Sequence, residues 1–161
     1  APVIQITFNT NPRETMAENI LYHGFGFPVL LKGVAYKGEG PDRYLDIPHE
    51  QVSKLLLDAI LRKPTPWTGA ELRFVRKEID LTQGQFAILV HAKSYSNVVG
   101  WEGRDNEPTG LSEQAELYMR LRVVSELFGD ESLMEFFHLF RDRILANAEK
   151  KPLEIQVSLV A

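Results

Sequence analysis

Helix starts crowd together in the middle of this chain, and that crowding restricts what it can become. Thr68-Gly69-Ala70-Glu71 and Thr82-Gln83-Gly84-Gln85 each set a Thr three positions ahead of a Glu or Gln. In this capping-box pattern the hydroxyl and the longer side chain satisfy each other's free backbone N–H groups. The two caps stand fourteen residues apart, and Ser94 is a third candidate cap. Such spacing leaves room only for helices of two to three turns joined by tight connections. Leu72, Val75 and Ile79 line one face of the first helix. Phe86, Ala87 and Val90 give the second its buried side, and Val98 and Trp101 point the third inward.

On either side the pattern changes. Ile4, Ile6 and Phe8 alternate with polar residues, as do Leu153, Ile155, Val157 and Leu159, so the chain begins and ends on a half-buried strand, and the two are expected to share a sheet. Residues 13–22 read as a short helix ended by Gly24 and Gly26. Pro28–Tyr36 and Tyr44–Ile47 read as strands around a Gly-rich turn. Pro48 suits the first turn of a helix whose face is Val52, Leu55, Leu56, Ala59 and Ile60. Lys63-Pro64-Thr65-Pro66 reads as a linker. A helix over 112–128, with Ala115, Tyr118, Leu121, Val124 and Phe128 as its stripe, stops at Gly129. Another over 131–148 carries Leu133, Phe136, Phe137, Phe140 and Ile144. The fold class that follows is α+β, divided as a β-containing region over 1–63, a helical domain over 67–129, and a C-terminal helix and strand over 130–161.

Composition narrows function by exclusion. With no cysteine among 161 residues, disulfide frameworks, thiolate zinc sites and cysteine nucleophiles are ruled out. Apolar runs are too short for a membrane span, and Ala-Pro-Val-Ile-Gln lacks the features of a secretion signal, so a cytoplasmic protein is expected. The net charge is −4, and no segment is strongly basic: residues 1–68 hold 7 basic and 7 acidic side chains, 69–109 hold 5 and 6, and 110–161 hold 6 and 9. Nucleic-acid binding would therefore rest on local placement of a few cations. The histidines, His23, His49, His91 and His138, share no metal-ligand spacing, and nothing meets the nucleophile–base–orienter test. No enzyme, cofactor or metal is expected.

Leu81-Thr82-Gln83-x-x-Phe86-Ala87, followed by Trp101-Glu102-Gly103, resembles the XRE-type (Cro-like) helix-turn-helix. Trp67-Thr68-Gly69-Ala70-Glu71-Leu72-Arg73-Phe74-Val75-Arg76-Lys77, with the Ala87-to-Glu102 spacing, is similar to MqsA/YgiT-type antitoxin regulators. The resemblance covers roughly residues 28–128. In that family four cysteines hold a zinc ribbon ahead of the linker. Here Gly33–Lys37 and Ile47-Pro48 keep the ribbon's flavour without a cysteine, so no metal site carries over. Gly100, where similar regulators place a polar reader, and the order Glu102-Gly103-Arg104 depart from the pattern.

The resemblance implies a homodimer on double-stranded DNA, a repressor at a palindromic operator that controls its own operon. The reader helix enters the major groove while the helix before it crosses the phosphates. Gln83 is then expected at a phosphate, Ser94, Tyr95, Ser96 and Asn97 at base edges, and Lys93 and Arg104 as phosphate clamps. Arg76 lies seven residues before Gln83 and is expected to form a buried structural ion pair with Glu102. The C-terminal Phe136, Phe137, Phe140 and the last strand are candidates for the dimer interface. The competing expectation is a protein-binding module, an antitoxin whose N-terminal region masks a toxin protein while the helix-turn-helix is secondary.

Overall fold

The structure is a computed structural model and describes residues 3–9, 18–143 and 154–158. The chain is α+β and forms two compact units, Leu57–Lys150 and Pro2–Leu56 with Lys151–Ala161. The division falls inside a helix, at Leu56/Leu57, and not at 63–66. It also separates the two parts of the expected 130–161 segment: the helix goes with one unit and the strand with the other.

The sheet unit is built on β1 (Ile4–Asn9), β2 (Glu18–Tyr22), β3 (Val29–Val34) and β6 (Glu154–Ser158), in the order β2-β3-β1-β6. β1 runs parallel to both its neighbours, with Ile6 opposite Leu31 on one side and Ile155 on the other. The terminal strands do share a sheet. Ile4, Ile6 and Phe8 are buried while Gln5 and Thr7 are half-buried, which is what the two-residue period requires. Residues 18–22 are a strand antiparallel to β3, not the end of a helix. A five-residue segment in which only Ile20, Leu21 and Tyr22 are apolar is too short for periodicity to decide, and the ladder offered by β3 decides it. Gly26, at φ 95°, closes the β2–β3 hairpin through its N–H to the His23 carbonyl, and Phe25 stacks on His49. The pair β4 (Tyr36–Lys37) and β5 (Tyr44–Leu45) is a separate two-stranded ribbon, held by Lys37 on Asp46 at 2.6 Å and Arg43 over the Tyr36 ring.

The helical unit follows α1 (His49–Arg62), which turns Val52, Leu56, Ile60 and the neighbouring Ser53, Leu57 and Leu61 inward; Leu55, assigned to that face above, is exposed. Next come α2 (Gly69–Glu78), α3 (Gln83–Leu89), α4 (Tyr95–Glu102), α5 (Glu113–Phe128) and α6 (Leu133–Arg143). Both Thr capping boxes form: Glu71 N–H bonds the Thr68 hydroxyl and Gln85 N–H that of Thr82, each at 3.2 Å, with the reciprocal bonds at 2.8 and 2.9 Å. Asp80, His91 and Asp105 follow α2, α3 and α4 in the left-handed region, at φ 56°, 54° and 49°. A left-handed residue is the usual way to stop a helix abruptly. Here three side chains accept a conformation that costs an L-residue on the order of 1 kcal/mol, and the connections stay short.

The Lys63–Pro66 segment is no free linker. The Arg120 guanidinium, fully buried, donates to the carbonyls of Leu61, Lys63 and Thr65, at 3.1, 2.6 and 2.8 Å, and to Glu116 at 2.9 Å. Glu116 in turn accepts the Trp67 N–H at 2.7 Å, the Trp67 indole donates to the Ile60 carbonyl, and Arg120 lies over the Trp67 ring. Lys63 reaches Glu71 at 2.6 Å, so the carboxylate that caps α2 also holds the segment before it. Burial pulls the Arg120 guanidinium below its ordinary pKa, and Glu116 opposes that shift.

This pair also explains why α5 is phased differently from expectation. Its buried residues are Glu116, Met119, Arg120, Val123 and Val124, whereas Ala115, Tyr118 and Phe128 are exposed. Two charges on the buried face mislead any reading by apolar spacing. After a 3₁₀ turn, Asp130–Ser132, α6 buries Phe136, which stacks on Phe128, and leaves Phe137 exposed. Ile144 and the rest of the expected 131–148 helix, like Leu153 and Leu159, lie outside the described residues.

Replacing Arg120 with Met leaves Glu116 buried without its cation. Unfolding by denaturant is expected to show a loss of about 3–5 kcal/mol. Adding Glu116→Gln should recover part of it, giving a double variant less destabilised than the sum of the two singles. A near-native midpoint for Arg120→Met alone would show that the network holds nothing.

Candidate nucleic-acid interface

A single buried carboxylate ties α2, α3 and α4 together. Glu102, at the end of α4, is 2% exposed and is the only ionisable side chain on that helix besides Tyr95. Arg76 on α2 approaches it as a fork, Nε to Oε1 at 2.5 Å and Nη2 to Oε2 at 3.2 Å. Gln83, at the start of α3, donates its amide to Oε2 at 2.9 Å. A third bond from Arg76, Nη1 to the Leu81 carbonyl at 2.8 Å, secures the α2–α3 turn. Both oxygens of Glu102 are thus met by donors, the condition under which a desolvated charge is tolerable.

The expected Arg76–Glu102 pairing is therefore present as geometry, and Gln83, expected at a phosphate, donates one amide N–H to the same carboxylate. Its amide nitrogen turns inward to the carboxylate and orients α3 against α4. The missed member of the cluster is Arg73, whose Nη2 donates to the Glu102 carbonyl at 2.9 Å and to Asp105 at 3.3 Å. Its position three residues before Arg76, on the same helical face, was the available signal.

Backbone closeness completes the fit. Gly69 N–H and Ala70 N–H, at the start of α2, donate to the carbonyls of Glu107 and Asp105 in the turn after α4. A Cβ on Gly69 would stand 2.5 Å from the Trp101 carbonyl oxygen and 2.8 Å from the Glu102 carbonyl oxygen and the Asp105 nitrogen. All three obstacles are main chain, so none can swing aside.

The opposite side of α4 faces water. Tyr95 is 61% and Val99 43% exposed, four residues apart on one face, and Ser96, Asn97 and Gly100 are exposed with them. Trp101, expected inward, is only half-buried, while Val98 and Glu102 make the inner contacts. Asn97 Oδ1 accepts the Ser94 N–H at 3.2 Å and the Ser94 hydroxyl at 3.3 Å, and Ser94 Oγ also meets Ser96 Oγ at 2.5 Å. Ser94, Ser96 and Asn97 thus form one exposed polar cluster at the helix start. Lys93 is exposed just before it; Arg104 is exposed just after α4, with its guanidinium against Gly110. Asp105 in the same turn is answered by Arg73. The outer face of the helix itself therefore carries no carboxylate; Lys93 precedes it, and the turn that follows holds Arg104 together with the exposed Asp105 and Glu107. Ile88 on α3 is 78% exposed; nothing in the structure accounts for it.

Comparison with protein-family models, with curated proteins and with solved structures gives no match to this chain. Among the described residues no helix is long and apolar enough to cross a membrane.

Two substitutions test the geometry. Arg76→Ala should lower stability by about 3–5 kcal/mol in a denaturant titration, because Glu102 is left buried. Arg76→Lys should rescue it only in part, since an ammonium cannot supply the fork. If Arg76→Ala unfolds at the native midpoint, the pair is not what fixes α2 on α4. Separately, Gly69→Ala should cost about 1–3 kcal/mol or more through backbone displacement, read as a drop in Tm, whereas Gly100→Ala, with nothing within 4 Å of its added Cβ, should raise stability by up to about 1 kcal/mol.

Proposed function

We propose that this chain is a sequence-specific DNA-binding transcriptional regulator. In this reading α3 and α4 act as a helix-turn-helix of the XRE type, with α4 in the major groove and α3 crossing the phosphate backbone. The observation that carries the reading is the arrangement around Glu102. The only carboxylate on α4 is drawn inside and neutralised by Arg76. What remains outside is a carboxylate-free face with Ser94, Tyr95, Ser96 and Asn97 at its head and Lys93 and Arg104 at its ends. In a chain of net charge −4, such a local surface is where a polyanion can approach.

Each residue then has a role. Lys93 and Arg104 hold phosphates. Ser96, Tyr95 and Asn97 face base edges, with the Asn97 amide N–H₂ as the free donor, because its oxygen is engaged by Ser94. Gln83 is a positioning residue that sets α3 against Glu102. A two-fold dimer on a palindromic operator gives the two half-sites that one short reader helix cannot cover alone. Repression of its own operon from a cytoplasmic location belongs to the same reading.

The excess of carboxylates over cations in residues 110–161 favours a second, compatible reading. There the chain also binds a protein, as an antitoxin that masks a toxin, and that surface is separate from α4.

Footprinting the purified protein on its own promoter tests the first reading. A protected, two-fold symmetric site is expected. Its affinity should fall with salt at a log–log slope of about −0.9 per phosphate neutralised. Lys93→Ala and Arg104→Ala should each flatten that slope by about one unit and weaken all sequences alike. No protection at low salt, with the fold intact by circular dichroism, would refute it. Co-purification with the product of the adjacent gene tests the second.

A further inference from the structure

The outer face of α4 differs from a hydrogen-bonding reader in one respect. Its centre is apolar. Tyr95 and Val99 stand four residues apart and are both well exposed, and Gly100 beside Val99 has open space above it. The helix has no Lys, Arg or Gln with which to grip a guanine or adenine edge bidentately. Asn97, the remaining amide, has its oxygen held by Ser94 and so cannot offer the paired donor and acceptor that adenine requires. The face is nonetheless open to a polyanion, since its own carboxylate is buried and Lys93 and Arg104 stand just before and just after the helix.

In the major groove the one apolar feature of a base pair is the C5-methyl group of thymine. We infer that Val99 and Tyr95 form a thymine-methyl contact, so that specificity at the centre of each half-site comes from A·T pairs recognised by their methyl groups. Gly100 has a part in this: without a side chain it lets the helix approach the groove floor closely enough for the branched methyls of Val99 to touch the base. The inference rests on the DNA-binding reading of α4 and names the chemistry that face selects.

The test uses the full chain and a pool of random duplex DNA. Selected half-sites should be rich in A·T pairs. In the best site each thymine is then replaced by deoxyuridine, which removes only the methyl. Loss of one buried methyl should weaken binding about four-fold. The expected result is one or two positions per half-site with that penalty. The penalty should shrink to near unity in Val99→Ala or Tyr95→Ser, both exposed positions where the fold is retained. Replacing cytosine by 5-methylcytosine at a C·G pair placed there should restore part of the affinity. A site that is selected and bound but is indifferent to deoxyuridine at every position overturns the methyl contact and leaves DNA binding standing. A pool from which nothing is enriched overturns both, and binding of the adjacent gene's product that is lost in Val99→Ala would assign the face to a protein instead.

Discussion

Burying a carboxylate is unfavourable unless donors replace its water, and the middle of this protein is organised around meeting that condition for Glu102. Two arginine nitrogens and one glutamine amide converge on its two oxygens. The donors come from α2 and from the first residue of α3, while the acceptor ends α4. The helices that must be held in a fixed relation are thus joined through one group. Because α3 and α4 are only 7 and 8 residues long, neither would persist in isolation. Their helicity depends on capping at the start, left-handed stops at the end, and this shared charge in between.

A second buried charge cluster repeats the logic at the entrance to the same unit. Arg120 satisfies the carbonyls of a Pro-containing segment that cannot hydrogen-bond within itself, and Glu116 and Glu71 take the opposing N–H and Nζ groups. Prolines at 64 and 66 remove donors and forbid helix, which leaves carbonyls in want of partners. A buried arginine is the side chain best suited to supply several donors in one plane. The result is a rigid connection between α1 and α2 where composition alone suggests a flexible one.

What was legible in the sequence divides along these same lines. Features with local causes were legible: the Thr68 and Thr82 boxes, the stop at Gly129, and the alternation of Ile4, Ile6 and Phe8 lie where the pattern puts them. Features decided by distant partners were not. Residues 18–22 become a strand only because β3 offers a ladder. The buried face of α5 is set by Glu116 and Arg120, which a hydrophobic pattern discounts, and so Ala115, Tyr118 and Phe128 were assigned to the wrong side. At the candidate interface the Arg76–Glu102 pairing came from a family resemblance. The inward turn of Gln83 depends on a three-dimensional neighbour that spacing does not reveal, whereas the Ser94–Asn97 cap and the place of Arg73 one turn before Arg76 had a local signal that went unread.

The overall acidity of the chain bears on how such a face would be used. Exposed charges are screened within about 10 Å at moderate salt, so carboxylates elsewhere on the chain weigh less on an approaching ligand than the groups at the face itself. What matters locally is that Glu102 is internal and Asp105 is bridged by Arg73. If α4 reads DNA as proposed, a helix without cations of its own contributes little non-specific attraction, since that attraction scales with the phosphates neutralised. Its discrimination must then come from contacts at the bases. Under the proposed reading, low general affinity with contact-dependent selection would keep the protein from being diluted over the many non-specific sites of a genome. Sequestering the helix's one carboxylate and presenting uncharged side chains outward is a direct way to reach that balance.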